Sequence, residues 1–494
     1  MSDIEEKNKG NKKEQKKKQG KKSSGFKFMV LAFFVVELVI SIILGYHLVR
    51  MSVLPVKYMI LAVGIWIVFN VLLLLSSKKI WTGIIMMVLT LALSAGMLYG
   101  IHAVSSVDKT LKDITDAPEE QVTEMAILVL KDSEAQEITE LSQFVIGYVD
   151  DSNYEYVQKV MEEINTAVGG EVSYADFADM PSMVDALYAK TIDAIIINKA
   201  YIDMIIEIEG YEDFEDKTKI IYSSEIVSYM NLVSEKSTNL DTFIVYISGI
   251  DKFGAVTSTS RSDVNILAVV NTKTKHVQLI NTPRDYYVLL PNSNGMKDKL
   301  THAGLYGVDS SIGAMEDLYD IEIDFFLRMN FSGFENIIDS LGGIDVYSEY
   351  DFTVTPIKHY TVGLNHLTGI EALAFARERH AFAQGDLQRG KNQMAVITAM
   401  INKIASPEIL YNYAEVLESI SESFQTNMST EDIYALVRQQ LNDGSQWTID
   451  TYSVTGTGQY ATTFSIPSKE VYVMMPNESD VAEVKELIKA IMEE

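Results

Sequence analysis

Four cationic side chains, Arg377, Arg379, Arg389 and Lys391, fall within 15 positions of a chain whose formal charge is −27. Further charged residues recur at the ends of apolar runs. Asp251 closes "SGID", Arg261 and Asp263 open "SRSDVNILAVVN", Arg284 and Asp285 end "LINTPRD", and Lys297 and Lys299 stand in "KDKLTHA". Arginine offers a planar fork of donors that matches phosphate oxygens two at a time. Aspartates beside a phosphate are repelled unless a hard cation such as Mg²⁺ lies between them. Arginines, aspartates and magnesium together are the chemistry of a diphosphate. Any one of these elements alone could be a turn, a cap or a surface ion pair worth a few tenths of a kcal/mol; the set proposes a site.

The elements that would position them are readable. Apolar runs with charged ends suit α/β proteins, which build sites at strand ends. Pro283 fixes the turn that carries Arg284. "GIEALAFA" reads as a helix, and "RER" then places Arg377 and Arg379 on one side of an extended segment. Gly385 breaks the chain, Asp386 reads as the N-cap of the next helix, and Asp386, Arg389 and Gln393 share one face of it.

Other chemistries are poorly served. There is no cysteine, which excludes disulfides, thiol catalysis and cysteine-bound metals. The seven histidines have no metal-ligand spacing, and His302 and His380 read as bystanders beside the charged motifs. "GDLQRGKN" (Gly385–Asn392) has the spacing of a phosphate-binding P-loop, but Asn392 stands where a hydroxyl should hold Mg²⁺ and no buried strand precedes it.

The charge is unevenly spread. Residues 1–27 carry ten lysines against four acids, residues 28–104 are nearly neutral, and the remaining 390 carry about −36. Phe28–Val49, Val56–Leu75 and Ile80–Ala103 are apolar runs of 22, 20 and 24 residues, each long enough to cross a bilayer. Lys78 and Lys79 share a side with the lysine tail, so the positive-inside rule puts the tail in the cytoplasm and everything after about residue 105 outside. Glu37, in the middle of the first span, reads as paired with a neighbouring helix. The lysine tail reads as a solvated, disordered topology signal. With Phe26 as its one aromatic residue and no helix-turn-helix pattern in sight, it is a poor nucleic-acid reader.

Four parts follow: a basic tail (1–27), three transmembrane helices (28–104), an acidic accessory α/β domain (105–239) and a second α/β domain (240–494). In the accessory domain Ala126–Leu130, Phe144–Val149 and Ile192–Asn198 read as strands, and Tyr154–Val168 and Met183–Lys190 as helices. No charged constellation stands out there. Ser223–Asp241 reads as a linker or return segment.

The ordered motifs "DTFIVYISGID", "SRSDVNILAVVN", "LINTPRDYYV", "DKLTHAG", "LGGIDV", "GLNHLTGIEALAFARER" and "GDLQRGKNQ" resemble the LytR-CpsA-Psr family of bacterial cell-envelope proteins over about residues 240–494. The three spans and the intervening domain look like its capsule-associated branch in Gram-positive cocci. The resemblance implies a mixed-sheet α/β catalytic domain. It also implies transfer of a capsular or anionic glycopolymer from a polyprenyl diphosphate carrier to peptidoglycan, with hydrolysis of the diphosphate when water is the acceptor. It carries Asp251, Asp263 and Asp386 over as Mg²⁺-site residues. Arg284, Arg377, Arg379 and Arg389 carry over as diphosphate ligands with Gln393 beside them, and Arg261 and Lys299 as lesser ones. Arg284, Asp263 and Asp251 would act on the reacting groups. A membrane-anchored regulator of capsule expression and a lipid-binding scaffold without catalysis are the rival readings.

Overall fold

The computed structural model describes residues 2–494 apart from 77, 116–119, 152, 230–238, 251, 253–255, 292, 407–415 and 417–423. The chain divides into two compact units, Met1–Lys112 with Thr430–Gly444, and Asp113–Ser429 with Ser445–Glu494.

The first unit holds the helices Ser2–Met51, Val56–Ser76 and Ile80–Thr115. Gly25–Met51, Val56–Ser76 and Ile80–Lys112 are long and apolar enough to cross a membrane. The first helix runs back through the lysine tail, which the sequence reading left disordered; lysine and glutamine are good helix formers and no proline interrupts them. Glu37 is buried and its Oε1 accepts from Trp66 Nε1 at 2.8 Å and Ser41 Oγ at 2.9 Å. The acid in an apolar span is thus tied at one oxygen to the neighbouring helix, while its buried Oε2 has no hydrogen-bond partner among the described residues. The helix Thr430–Asp443 belongs to this unit, with Tyr434 donating to Asp108 at 3.1 Å.

Among the described residues the second unit contains two large sheets, of five and six strands, and four two-stranded ones. The accessory sheet has five strands in the order Ser173–Phe177, Val145–Val149, Ala194–Asn198, Glu120–Leu130, Thr218–Tyr229. Its central strand Ala194–Asn198 is wholly buried and reads AIIIN, an unbroken apolar run of the kind that has helices on both faces. Tyr154–Val168 and Met180–Tyr188 supply them; Asp179 caps the second helix by accepting from Ser182 N at 2.9 Å. Two elements differ from the sequence reading. Ser173–Phe177 was not foreseen, because its polar, half-exposed pattern belongs to an edge strand. Ser223–Tyr229, part of the stretch read as a linker or return segment, is strand, paired along its length with Glu120–Leu130, while residues 230–238 of that stretch lie outside the described residues; Ser223, Glu225 and Val227 are exposed and Ser224, Ile226 and Ser228 less so, as suits a sheet with one wet face.

The sheet of the second α/β domain has six strands in the order Phe424–Thr426, Phe325–Asn330, Thr242–Ile250, Ser262–Asn271, His276–Asn281, Thr448–Ser453. Thr242–Ile250, Ser262–Asn271 and His276–Asn281 form an antiparallel meander, and a parallel strand joins each side: Phe325–Asn330 on the first and Thr448–Ser453 on the last. One face packs against the helices Val308–Tyr319 and Glu478–Glu493 around Tyr246, Leu267, Ile280 and Phe326. The other meets the helix Asp386–Ile404 through Ile266, Leu279 and Met394.

The two folds share a core. Val184, Leu187, Ile205 and Phe214 of the accessory fold lie in one buried cluster with Leu305, Ile466, Val471 and Val473 of the second α/β domain. Val122 also bridges a loop of that domain, its N donating to Thr257 O at 2.9 Å and its O accepting from Thr259 N at 2.8 Å. The accessory fold is therefore built against the segment that leads into Arg261.

Candidate active site

A cavity of about 380 Å³ opens on the helix-covered face of the six-stranded sheet. Its polar end is lined by Arg261, Asp263, Arg284, Arg379, Arg389 and Gln393, joined by Arg377, His380 and Glu207. Ile247, Val264, Met329, Phe334, Leu373 and Ile397 line the rest, so the pocket is amphiphilic along its length.

The strands deliver the first group. Ile250 pairs with Ser262, which sets Asp263 at the sheet end beside the end of the Thr242–Ile250 strand; Asp251, the other expected acid, lies outside the described residues. Gly304 makes the close packing there possible, since a Cβ on it would fall 2.6 Å from Ser260 O and 2.7 Å from Ser262 N. Arg284 leaves the sheet on a turn closed by Tyr286 N to Pro283 O at 3.1 Å, and Thr301 N holds its carbonyl at 2.8 Å. His302, the expected bystander, is a buried strut: its Nδ1 lies 2.7 Å from Asp298 Oδ1 and 2.9 Å from Ser465 Oγ, which fixes the Lys297–Lys299 strand.

The helices deliver the second group. Gly369–Arg377 is a helix started by a capping box of Thr368 and Glu371. It continues to Arg377, which was expected in an extended segment; the chain turns extended only at Glu378, and both Arg377 and Arg379 still reach the cavity. Arg377 lies over the Phe331 ring at 4.2 Å. The helix Asp386–Ile404 begins one residue earlier than expected. Gly385, at φ 49°, takes the N-cap position that was assigned to Asp386, because glycine tolerates that backbone conformation. Asp386 instead sits in the first turn, 3.4 Å from Arg389 and 3.9 Å from Arg379. Gly390 lets this helix lie on the sheet, since a Cβ would collide with the Asn281 amide. The P-loop spacing of Gly385–Asn392 is thus carried on a helix, not on a phosphate loop.

Arg284 is the electrostatic centre. Its Nη1 donates to Asp263 Oδ2 at 2.9 Å, while its buried Nε has no hydrogen-bond partner among the described residues. A buried donor in that condition is costly unless an acceptor arrives, and a phosphate oxygen in the adjoining cavity would serve. Burial alone would raise the Asp263 carboxyl, but Arg284, Arg261 and Arg389, with a 2.8 Å hydrogen bond from Thr301, hold it at about 2. So acidic a group stays ionised and accepts protons poorly, which suits cation binding better than general-base work. Burial lowers Arg389, and neighbouring Arg284 and Arg379 press in the same direction against Asp386.

Two expected ligands stand differently. Lys299 does not line the cavity; its Nζ lies 3.4 Å from both Glu207 and Asp285. Arg261 lines it but donates to Glu207 Oε1 at 2.6 Å. Glu207 belongs to the accessory fold, where the sequence showed no charged constellation, and nothing in the local pattern "IIEIEG" announces that it faces an arginine cluster.

Among the described residues no group of three or more His, Asp or Glu side chains could hold a metal by itself. Mg²⁺ is ordinarily held by one or two carboxylates together with substrate phosphate oxygens and water. Asp263, which lines the cavity, fits such a donor set; Asp251 lies outside the described residues. Asp386 faces Arg389 and Arg379 and does not line the cavity.

A family model described as the LytR_cpsA_psr family matches residues 204–489, more than half of the chain. The chain belongs to the LytR-CpsA-Psr family. The match starts at Met204, inside the segment assigned to the accessory domain, so Glu207 falls within it. The polyisoprenyl-teichoic acid–peptidoglycan teichoic acid transferase TagT of Bacillus subtilis (strain 168) is 34 % identical over 215 residues, which are 41 % of this chain and 66 % of TagT. A TagU transferase of Bacillus cereus is 32 % identical over 199 residues, 40 % of this chain and 64 % of its own. The chain thus spans slightly less than two-thirds of these relatives. Among solved structures, TagT bound to LI-WTA matches 53 % of this chain and 96 % of its own at 28 % identity and a TM-score of 0.43. TagV of B. subtilis matches 52 % and 99 % at 27 % identity and a TM-score of 0.44.

The coupled ion pairs make acid stability a check on this arrangement. Glu207 is held at about 2 against an ordinary 4.5, and Asp263 at about 2 against 3.8. Both folded values lie below the unfolded ones, so the stabilisation is complete above about pH 5 and is lost as pH falls toward 2. The thermal midpoint of the detergent-solubilised chain should be flat from pH 7 to about 5 and drop steeply between about 4.5 and 2.5. In Glu207→Gln the drop should be shallower.

Proposed function

We propose that this protein is a membrane-anchored phosphotransferase that moves a glycopolymer from a polyprenyl diphosphate carrier to a peptidoglycan hydroxyl. The observation that carries the reading is the amphiphilic cavity, with arginines at one end and apolar side chains at the other. An isoprenoid diphosphate has that polarity. The helix Asp386–Ile404 displays it in one stripe: Arg389, Gln393 and Ile397 succeed one another at four-residue spacing and all line the cavity. The start of this 19-residue helix, the positive end of its dipole, carries Arg389 in its first turn, which favours an anion further.

In this reading Arg284, Arg377, Arg379 and Arg389 grip the diphosphate, with Gln393 as an added donor. The acceptor oxygen forms a bond to the phosphorus next to the sugar, the bridging P–O bond of the diphosphate breaks, and polyprenyl phosphate leaves with the electron pair. The acceptor proton passes to a base or to solvent. Asp263 and Asp251 would hold Mg²⁺, whose charge would neutralise the diphosphate oxygens. The arginines stabilise charge that grows on the non-bridging and leaving oxygens. Water in place of the acceptor gives hydrolysis. A capsular or other anionic glycopolymer is the proposed cargo. The teichoic acid transferases among the relatives support glycopolymer transfer in general. The three spans and the lysine distribution support a multi-pass anchor with the bulk of the chain outside the cell.

The test is turnover of a polyprenyl diphosphate by the full chain in detergent, with magnesium and with a chelator. Release of polyprenyl monophosphate that stops on chelation supports the reading. Lipid binding without turnover, even with peptidoglycan supplied, would turn it toward a scaffold.

A further inference from the structure

Glu207 enters the cavity from the accessory fold on a short, firmly held turn. Ile205 and Ile208, on either side, are buried in the core shared with Leu305, Ile466 and Val471 of the catalytic fold. Its Oε1 lies 2.6 Å from Arg261 Nη1 and 3.7 Å from Arg284 Nη2, and its Oε2 lies 3.4 Å from Lys299 Nζ. The side chains of Arg261 and Lys299 are 9 % and 6 % exposed, whereas that of Glu207 is 31 % exposed and lines the cavity. The carboxylate thus lines the void beside Arg261 and Arg284, while Lys299 sits behind it. Burial would raise its pKa, but the three cations hold it at about 2, so it remains an anion and is unsuited to take a proton from an acceptor.

We infer that Glu207 is a positioning residue of the diphosphate site, supplied by the accessory domain, which ties up Arg261 and Lys299 and leaves the diphosphate to Arg284, Arg377, Arg379 and Arg389. The inference rests on the phosphotransfer reading above. A site that captures a diphosphate must also let a monophosphate product go. A fixed negative charge at one edge tempers the field of the arginines and weakens the hold on every phosphate. It also accounts for the accessory fold sharing a core with the catalytic one: the position of Glu207 against three cations is set by that packing.

The probe is inorganic pyrophosphate, with its affinity measured on the full chain in detergent beside steady-state turnover of a polyprenyl diphosphate. Glu207→Gln should bind pyrophosphate about tenfold more tightly, because one negative charge leaves the site. Its KM and kcat should fall together as product is retained. Glu207→Asp, which keeps the charge, should stay within about threefold of the parent. Where Glu207→Gln alone does not fold, the double variant with Lys299→Met, which removes the pair together, should bind pyrophosphate about tenfold more tightly than Lys299→Met alone. Unchanged or weaker binding on loss of the carboxylate overturns the inference and leaves the phosphotransfer reading standing. Pyrophosphate binding that is absent from the parent chain and from every variant overturns both.

Discussion

Replacing Arg284 with Ala should lower turnover of a polyprenyl diphosphate by at least about a thousandfold. Arg284 faces three carboxylates and the cavity: Asp263 at 2.9 Å, Glu207 at 3.7 Å and Asp285 at 3.8 Å. It holds Asp263 ionised, and its buried Nε has no hydrogen-bond acceptor among the described residues. Alanine removes the donor, frees Asp263 to rise in pKa, and leaves a buried carboxylate without its partner. A broken buried pair costs roughly 3–5 kcal/mol, so stability must be measured alongside activity. Arg284→Lys separates the two effects. It retains a charge for Asp263 but cannot donate in a bidentate fork. It should recover most of the thermal midpoint and little of the rate. Recovery of both would demote Arg284 to a structural counter-ion.

The second large effect belongs to the apolar end. Ile397 lines the cavity two turns beyond Arg389 on the same helix face and is only partly buried, so a charged replacement is tolerable without ligand. Ile397→Glu would force an isoprenoid chain against a carboxylate. A penalty of about 2–3 kcal/mol corresponds to a rise in KM of roughly 30–150-fold for a long-chain polyprenyl diphosphate. Inorganic pyrophosphate, which lacks the chain, should bind within about threefold of the parent. That split between lipid and headgroup is the signature of one amphiphilic site. Equal losses for both ligands would mean that the helix itself had moved.

More of the candidate site than of its frame was legible in the sequence. Arg284, Arg377, Arg379, Arg389 and Gln393 were readable because arginine at the edge of an apolar run is unusual and its spacing is regular, and all of them line one cavity. Asp263 was readable for the same reason. Periodicity located the helix Tyr154–Val168 to the residue and the buried strand Ala194–Asn198 within two residues, since both carry strong apolar patterns. It missed the edge strand Ser173–Phe177 and misread Ser223–Tyr229, where one wet face dilutes the signal. It also misplaced the cap at Asp386, because the φ of Gly385 is a property of the folded turn. Glu207 was hidden for a deeper reason. Its role depends on a contact between segments some fifty to ninety residues apart, Glu207 with Arg261 and Lys299, and no local pattern encodes such a pairing.

The central claim is that this cavity transfers the phosphorus next to the sugar. The direct measurement uses a polyprenyl diphosphate glycan carrying ³²P at that phosphorus, incubated with the full chain, magnesium and peptidoglycan. Label recovered in peptidoglycan as a phosphodiester, with unlabelled polyprenyl phosphate released and no transfer by Arg284→Ala, is the outcome expected here. Label that stays with the lipid while the glycan moves, or that never leaves the carrier, would contradict the account.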